Sequence, residues 1–367
     1  MAITKINALA LGSDAIPNPN LIINGDMAIA QRGTSSTSSG INTVDRWNSV
    51  WTGGGITQSQ VALTSGGAYE EGHRHAFKMA VTSTNSANNR YAQMRYIPEA
   101  KDVRNFGWQY TSSSSYITVS FWAKSSLAGT YFLSFDGPDS GNAQVYSTPF
   151  TLSADTWTKV TKTISGGSNI VLNDDTGIGF YIDIRLDLGT DYTASDATIN
   201  AWADRSTSYS KTTTDFAQSW ANTANATWEL TGVKLEAGQS ATTFEKPDYT
   251  TELKKCFRYY EKITNAAGFS SLGLAANAST AYFDLYYEEK RAAPSFSLPT
   301  ASVTGNGVVP LTAGGGYPTD ATGTLTAMRI GKTSCRLDAE SFGGLTAESP
   351  SWLYWVAENS IEVNAEL

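Results

Sequence analysis

Apolar and polar residues alternate along one short segment after another of this 367-residue chain, and that rhythm points to antiparallel β structure. Tyr116-Ile-Thr-Val-Ser-Phe-Trp-Ala123 carries it most clearly, with β-branched and aromatic side chains throughout. Leu21–Ile23, Ala76–Val81, Tyr91–Ile97, Tyr131–Phe135, Gln144–Phe150, Trp157–Ile164, Gly179–Leu188 and Trp228–Leu235 repeat it between turns of Gly, Ser, Asn and Asp. Roughly nine strands in this arrangement predict a two-sheet sandwich or jelly roll. The period then changes. Over Asp248–Ile263, Leu253, Phe257 and Tyr260 fall on one helical face, and Asp248 or Thr250 is placed to cap it. Alternation resumes in Ala281–Tyr287, Pro294–Leu298, Trp352–Ala357 and Ser360–Leu367, with a hairpin of Leu325–Ile330 and Thr333–Leu337 about Gly331-Lys332.

The expected architecture is therefore all-β: a jelly-roll β-sandwich, a short helix, and a second, smaller β-sandwich. The boundaries read as a terminal peptide 1–19, a sandwich over 20–247, a helical linker over 248–264 and a second sandwich over 265–367. The length suits about two domains, each with its own core. The net charge of −8 excludes a phosphate-backbone binder, which needs clustered Lys and Arg. Two cysteines, Cys256 and Cys335, are too few for a disulfide scaffold and are expected as reduced, partly buried thiols. The chain opens Met-Ala-Ile-Thr-Lys with no apolar run behind it. No segment approaches the roughly 20 apolar residues of a membrane span, so neither an export signal nor membrane insertion is expected.

Two stretches carry a family likeness. Trp228-Glu-Leu-Thr-Gly-Val-Lys-Leu-Glu-Ala-Gly, running through Thr243-Phe-Glu-Lys-Pro to Cys256-Phe-Arg-Tyr-Tyr260, resembles a junction in bacteriophage tail-fibre and virion surface proteins. There a carbohydrate-binding-like jelly roll hands over through a helix to a terminal β-domain. Asn20-Leu-Ile-Ile-Asn-Gly-Asp-Met27, with Asp45-Arg46-Trp47 downstream, resembles the start of that jelly roll. Arg291-Ala-Ala-Pro294 and the closing Asn-Ala-Glu-Leu resemble the terminal domain's turn and end. The resemblance implies adhesion to bacterial surface polysaccharide, a homotrimer, and attachment to other virion proteins through residues 1–19. A particle assembled in host cytoplasm would also reconcile an outward-facing composition with the absent export signal. It further implies a structural Ca²⁺ between first and last strands, with Asn24, Asp26 and Glu236 on the matching positions. The family's paired Asp near the last strand is replaced here by Thr231-Gly232.

Sugar rings stack on exposed aromatics, and Trp51, Trp108, Tyr110, Trp202 and Trp220 are the candidates, against core packing or subunit contact as the plainer reading. Trp47, Trp122, Trp157 and Trp228 read as core, each lying in an alternating or motif-bearing strand. The long segment 189–227, rich in Asp, Ser, Thr and Ala, is the first candidate for a specificity loop, with a passive insertion weighing equally. No catalytic motif stands out, and no enzyme is expected. His73 and His75, beside Glu70 and Glu71, form a weak metal candidate whose plain reading is a solvated turn. Asp183 and Asp187 share a face on an ideal strand, and Asp174-Asp175 lie in a turn. These pairs are what a glycan-degrading tailspike would need, but the repeat of a β-helix is absent. The expectation is a tail fibre or receptor-binding subunit. Its rivals are a purely structural capsid decoration, fibre or neck protein, and a glycan hydrolase.

Overall fold

The computed structural model describes residues 19–139, 143–205, 211–264, 270–299, 301–302, 308–311, 322–355 and 360–367. The terminal peptide assigned to residues 1–19 lies, apart from Pro19, outside the described residues. Two compact units divide between Glu252 and Leu253.

The first unit is a jelly-roll sandwich of twelve strands: β1 Ser35–Ser36, β2 Trp47–Thr52, β3 Gly55–Ala62, β4 His75–Ser83, β5 Tyr91–Tyr96, β6 Tyr116–Ser125, β7 Gly129–Gly137, β8 Gln144–Leu152, β9 Thr158–Ser165, β10 Tyr181–Leu188, β11 Trp202–Asp204 and β12 Thr227–Ala237. They form two antiparallel sheets, β1-β3-β4-β12-β6-β9 and β11-β8-β7-β10-β5-β2. Between them lies one core. Phe121 of the first sheet meets Phe150 of the second at 5.4 Å between ring centroids, and Trp228 meets Tyr131 at 5.9 Å. The apolar phase of each strand faces this core, while the other phase is outward; in β6, β7, β10 and β12 that outer phase is largely buried too.

Strands β2 and β3 carry few apolar residues and did not stand out in the sequence. Their pairing is set by the neighbouring strands: β2 lies antiparallel to β5, and β3 to β4. The expected strand at Leu21–Ile23 does not form, and the chain turns over Ile23–Asp26, with Asn24 and Met27 both at φ 57°. Trp47 and Trp228 are core residues, but Trp122 and Trp157 are not. Those two stand on the outer face of the first sheet, in a small cluster with Leu63, Ala68 and Ala76. Trp122 donates its indole N–H to Glu71 at 3.0 Å, and Lys124 lies 5.2 Å from the Trp157 ring.

The family-like motifs turn out to be one structural knot. Val233 N donates to Gly25 O at 2.9 Å, and Asn20 Nδ2 donates to Val233 O at 3.0 Å. A Cβ on Gly25 would lie 2.2 Å from Val233 O, so only glycine fits there. Trp47 Nε1 donates to Asn24 O at 3.1 Å, which ties in the Asp45-Arg46-Trp47 motif.

The helix occupies Tyr249–Phe257 and is capped by Asp248, which accepts from Thr251 N at 3.0 Å. It ends earlier than helical spacing predicts. Tyr260–Thr264 forms β13, paired with the final strand, because the ladder between Tyr260 and Asn364 and between Ile263 and Ile361 outweighs local spacing.

The second unit continues with β14 Ser270–Ala275, β15 Ala281–Tyr286, β16 Ser295–Ser297, β17 Ala301–Ser302, β18 Val308–Leu311, β19 Thr322–Met328, β20 Ser334–Glu340, β21 Pro350–Trp355 and β22 Ser360–Asn364. They give a three-stranded sheet β13-β22-β16 and a seven-stranded sheet β17-β19-β20-β15-β14-β21-β18. The hairpin expected about Gly331-Lys332 is β19 and β20. The Arg291 turn and the chain end meet as well: Arg291 donates to Ala365 O at 2.5 Å and Glu366 O at 2.7 Å. Both cysteines are buried and free, and burial pushes the Cys335 thiol up to about 12.

Candidate functional site

A cleft of about 450 Å³ opens on the outer face of the second sheet. Its floor follows from register. Asn48 of β2, Arg95 of β5, Asp183 of β10, Ser134 of β7 and Ser147 of β8 stand side by side across five strands. The adjacent row is Val50, Gln93, Arg185, Phe132 and Pro149, and beyond Asp183 come Tyr181 and Asp136. Tyr91, Tyr192 and Arg205 complete the walls.

The floor is charged, buried and ordered by hydrogen bonds. Arg95 holds Asp183 with two parallel bonds, Nε to Oδ1 at 2.7 Å and Nη2 to Oδ2 at 3.0 Å. Burial disfavours the Arg95 cation, but the charge and hydrogen bonds of Asp183 outweigh it and hold its pKa above the ordinary arginine value. The Arg95 guanidinium stacks 4.3 Å over the Tyr181 ring, fixing that wall. Arg205 pairs with Asp136 Oδ2. Burial pushes the Asp136 carboxyl up, against the pull of Arg205 and Arg185. Asp136 is 5% exposed, and its Oδ1 has no hydrogen-bond partner within the chain. An acceptor buried without a partner is an expensive arrangement, and here it belongs to a residue that lines the cleft.

The segment 189–227 contributes directly. Tyr192 and Arg205 line the cleft, and the Tyr192 ring meets Tyr91 edge-on at 5.8 Å. Its described residues pack on the sheet: Phe216 lies on Phe132 at 5.1 Å, and Gln218 donates to Thr130 O at 2.7 Å. Tyr209 lies outside the described residues.

None of the five aromatics proposed from the sequence lines this cleft. Trp108 and Trp220 are core residues, 3% and 0% exposed, and cannot offer a face to a sugar. Trp51 and Trp202 occupy core-facing positions: their cross-strand partners are Ala92 and Tyr146, both core residues. Tyr110 packs on the same core beside Trp108. The cleft's aromatics are tyrosines, Tyr91, Tyr181 and Tyr192. The sequence signal that could have found two of them is their place in the polar phase of strands otherwise rich in Arg and Asp.

The calcium set does not fit either. Asn24 spends its amide on the knot, donating to Ile29 O and Asp45 O at 2.9 Å each and accepting from Ile29 N at 3.0 Å. Asp26 pairs with His73. Glu236 accepts from Thr242 N at 2.8 Å and Thr242 Oγ1 at 2.6 Å. A cation does sit there, but it is the buried ammonium of Lys234, 3.3 Å from Glu236 Oε2 and 3.0 Å from Thr243 O. Among the described residues, no group of three or more His, Cys, Asp or Glu side chains gathers to hold a metal. His73 is not a solvated turn residue. It is 1% exposed, packed edge-on against Phe244 at 5.1 Å and against Gly232, which keeps φ +61° in the β12 bulge.

The carboxylate pair separates. A bulge in β10 between Arg185 and Asp187 turns Asp187 to the core side, opposite Ala92. There its Oδ2 accepts from Arg90 Nε at 3.1 Å and Ala221 N at 2.8 Å. Asp183 remains on the cleft side with both oxygens held by Arg95. In the Asp174-Asp175 turn, Asp175 accepts from Gly177 N at 2.8 Å, an ordinary turn bond.

Comparison with known proteins gives no matching family model and no curated relative. Among solved structures, the chain is similar to the enzymatically active domain of tailspike protein 4 of bacteriophage CBA120, at 10% identity and a TM-score of 0.33, over 60% of this chain. The chain spans only 21% of that tailspike. It is also similar to the family 11 carbohydrate-binding module of Clostridium thermocellum, at 12% identity and a TM-score of 0.27, over 57% of this chain and 98% of that one. A third likeness is the N-terminal CBM22-1–CBM22-2 tandem domain of Paenibacillus barcinonensis Xyn10C, at 10% identity and a TM-score of 0.30, over 97% of this chain and all of that one (100%). At such identities these likenesses identify no family, and the architecture rests on the strand order and register above. No helix among the described residues is long and apolar enough to cross a membrane.

Proposed function

We propose that this chain is a glycan-binding adhesin of a phage virion, a tail fibre or receptor-binding subunit, and that the cleft on the second sheet holds a host surface saccharide. The observation that carries the reading is the row of fixed polar side chains that ends at Asp136 and is flanked by tyrosines. Sugar recognition needs this combination: rigid acceptors and donors for hydroxyls, and apolar ring faces for the C–H surface. A cleft of 450 Å³ matches a small oligosaccharide segment. Weak single sites suffice when identical copies act together on one particle, because linked binding raises effective concentration. Localisation to the virion, attachment through residues 1–19 and a homotrimeric state belong to the same proposal.

The test is saturable binding of the purified chain to intact bacteria and to their extracted surface polysaccharide. Tyr91→Ala, Gln93→Ala and shortening of the 189–227 segment should each weaken binding while the fold persists. Binding that survives all three changes sinks the assignment of the cleft.

One observation favours a second reading, a structural virion component without a glycan ligand. The second unit exposes Leu272, Leu274, Tyr286, Met328 and Ile330, with Tyr286 at 74%. Such apolar exposure suits burial against copies of the same chain. Sedimentation as a trimer with no polysaccharide binding would select it.

A further inference from the structure

We infer that the cleft takes a carboxylate-bearing saccharide, whose acid group seats on the guanidinium of Arg185. The inference rests on the glycan-binding reading and specifies its ligand class.

Arg185 stands at the middle of the floor, 7% exposed, and lines the cleft. Its Nε donates to Ser134 Oγ at 3.0 Å. The carboxylate nearest to it is Asp183, whose Oδ2 lies 3.7 Å from Nη2, beyond hydrogen-bond distance. Both Asp183 oxygens accept from Arg95 at 2.7 and 3.0 Å, so the carboxylate is oriented by Arg95 and not by Arg185. Asp136 is likewise engaged by Arg205. The charges that act on Arg185 do not balance: with Arg95 and Arg205 it faces Asp136 and Asp183, a local surplus of one positive charge. That surplus sits in a chain whose net charge is −8. Arg185 is the arginine that shares its nearest carboxylate and makes no hydrogen bond to it.

A buried cation held only by one hydroxyl and a shared carboxylate 3.7 Å away is costly, and such sites persist where a ligand completes them. Burial holds the Arg185 guanidinium below the ordinary arginine value, against the opposing charges of Asp183 and Asp136. Its terminal nitrogens form a planar fork that matches the two oxygens of one carboxylate. A sulfate or phosphate would call for several free donors converging from different sides. Here the other two arginines are already occupied, and a single open fork selects the flat, singly charged acid. The neighbouring Gln93 and Tyr181 are then placed for the hydroxyls of the same sugar.

The experiment uses the full chain and four polymers: polygalacturonate, its carboxyl-reduced form, neutral dextran and dextran sulfate, read by calorimetry and affinity electrophoresis. Polygalacturonate should bind, and carboxyl reduction should weaken binding by tenfold or more, about 1.4 kcal/mol. Arg185→Gln should lose binding to the same degree, and Arg185→Lys, which keeps the charge but not the fork, should fall between. If Arg185→Gln does not fold, the carboxyl-reduced polymer still decides, because it uses the unaltered protein. Equal binding of native and reduced polymer, or tighter binding of dextran or dextran sulfate, overturns the inference and leaves the glycan-binding reading standing. Binding of none of the four, with host polysaccharide also unbound, overturns both.

Discussion

The substitution Asn24→Asp separates two accounts of the motif at the start of the sandwich. If Asn24 is a cation ligand, a carboxylate there should tighten the site and raise thermal stability in calcium. The structure gives Asn24 a different job. Its Nδ2 donates to Ile29 O and to Asp45 O at 2.9 Å, and its Oδ1 accepts from Ile29 N at 3.0 Å. Aspartate keeps the acceptor and loses both donors. Asp45 O is then left buried without a partner, at about 1–3 kcal/mol, while Ile29 O keeps the Asp45 N–H at 3.0 Å but now faces a buried carboxylate. The new charge also lies beside Glu252, which accepts from Asn24 N. The summed loss is about 3–5 kcal/mol, a third or more of the stability of an ordinary domain. For a unit of this size it corresponds to a fall in Tm on the order of 10 °C. Urea and thermal unfolding of the parent and Asn24→Asp chains, each with calcium and with chelator, give the answer. An unchanged Tm, or a rise on adding calcium, refutes the reasoning. The left-handed φ of 57° is no confounder, because aspartate tolerates that region nearly as well as asparagine.

Three further outcomes follow from the same geometry. Lys234→Met removes the ammonium that neutralises buried Glu236 and should cost about 3–5 kcal/mol, whereas a chelator should leave the parent's Tm unchanged; a chelator-sensitive parent would contradict the lysine's role. Asp136 has a folded pKa raised above its ordinary value of 3.8. Its neutral form therefore stabilises the folded state below that ordinary value, and the contribution is lost as pH rises through the raised one. Binding of an acidic polymer should strengthen on acidification through that window, and Asp136→Asn should flatten the profile; an unaltered profile in the variant removes Asp136 from the site. Incubation with polygalacturonate or host polysaccharide should release no new reducing ends, because Asp183 is locked by Arg95 and Asp187 faces the core. Their appearance, and their loss in Asp183→Asn, would restore the hydrolase.

Much of the fold was open to reading from alternation alone, because a strand that buries one face must write that face into every second residue. Tyr116–Ser125 and Tyr181–Leu188 are such strands. Segments whose place is dictated by their neighbours were closed to it. Strand β3, Gly-Ile-Thr-Gln-Ser-Gln-Val-Ala, offers little apolar phase, and the stretch after Phe257 reads as helix until its ladder with the last strand is known. The β10 bulge was equally hidden. A regular strand places Asp183 and Asp187 together, and one extra residue between ladder partners undoes that without leaving a mark in the composition.

The site was less legible than the fold for a reason that the motifs make plain. Asn24, Gly25, Asp45, Trp47 and Gly232-Val233 stand out in the sequence because their backbone and hydrogen-bond demands admit few alternatives, and those demands are architectural. The cleft makes no such demand on any one segment. Its floor is assembled from single residues on five strands, each an unremarkable polar residue at an outward position. What distinguishes it is the choice of polar residue. The outer positions of β9 are Lys159, Thr161 and Thr163, whose flexible or small side chains suit a wet surface. The outer phases of β5 and β10 instead read Tyr91, Gln93, Arg95 and Tyr181, Asp183, Arg185. Arginine, aspartate and tyrosine hold direction through planar and bidentate contacts. Such residues on the supposed solvent face of a strand point to a surface built to hold something.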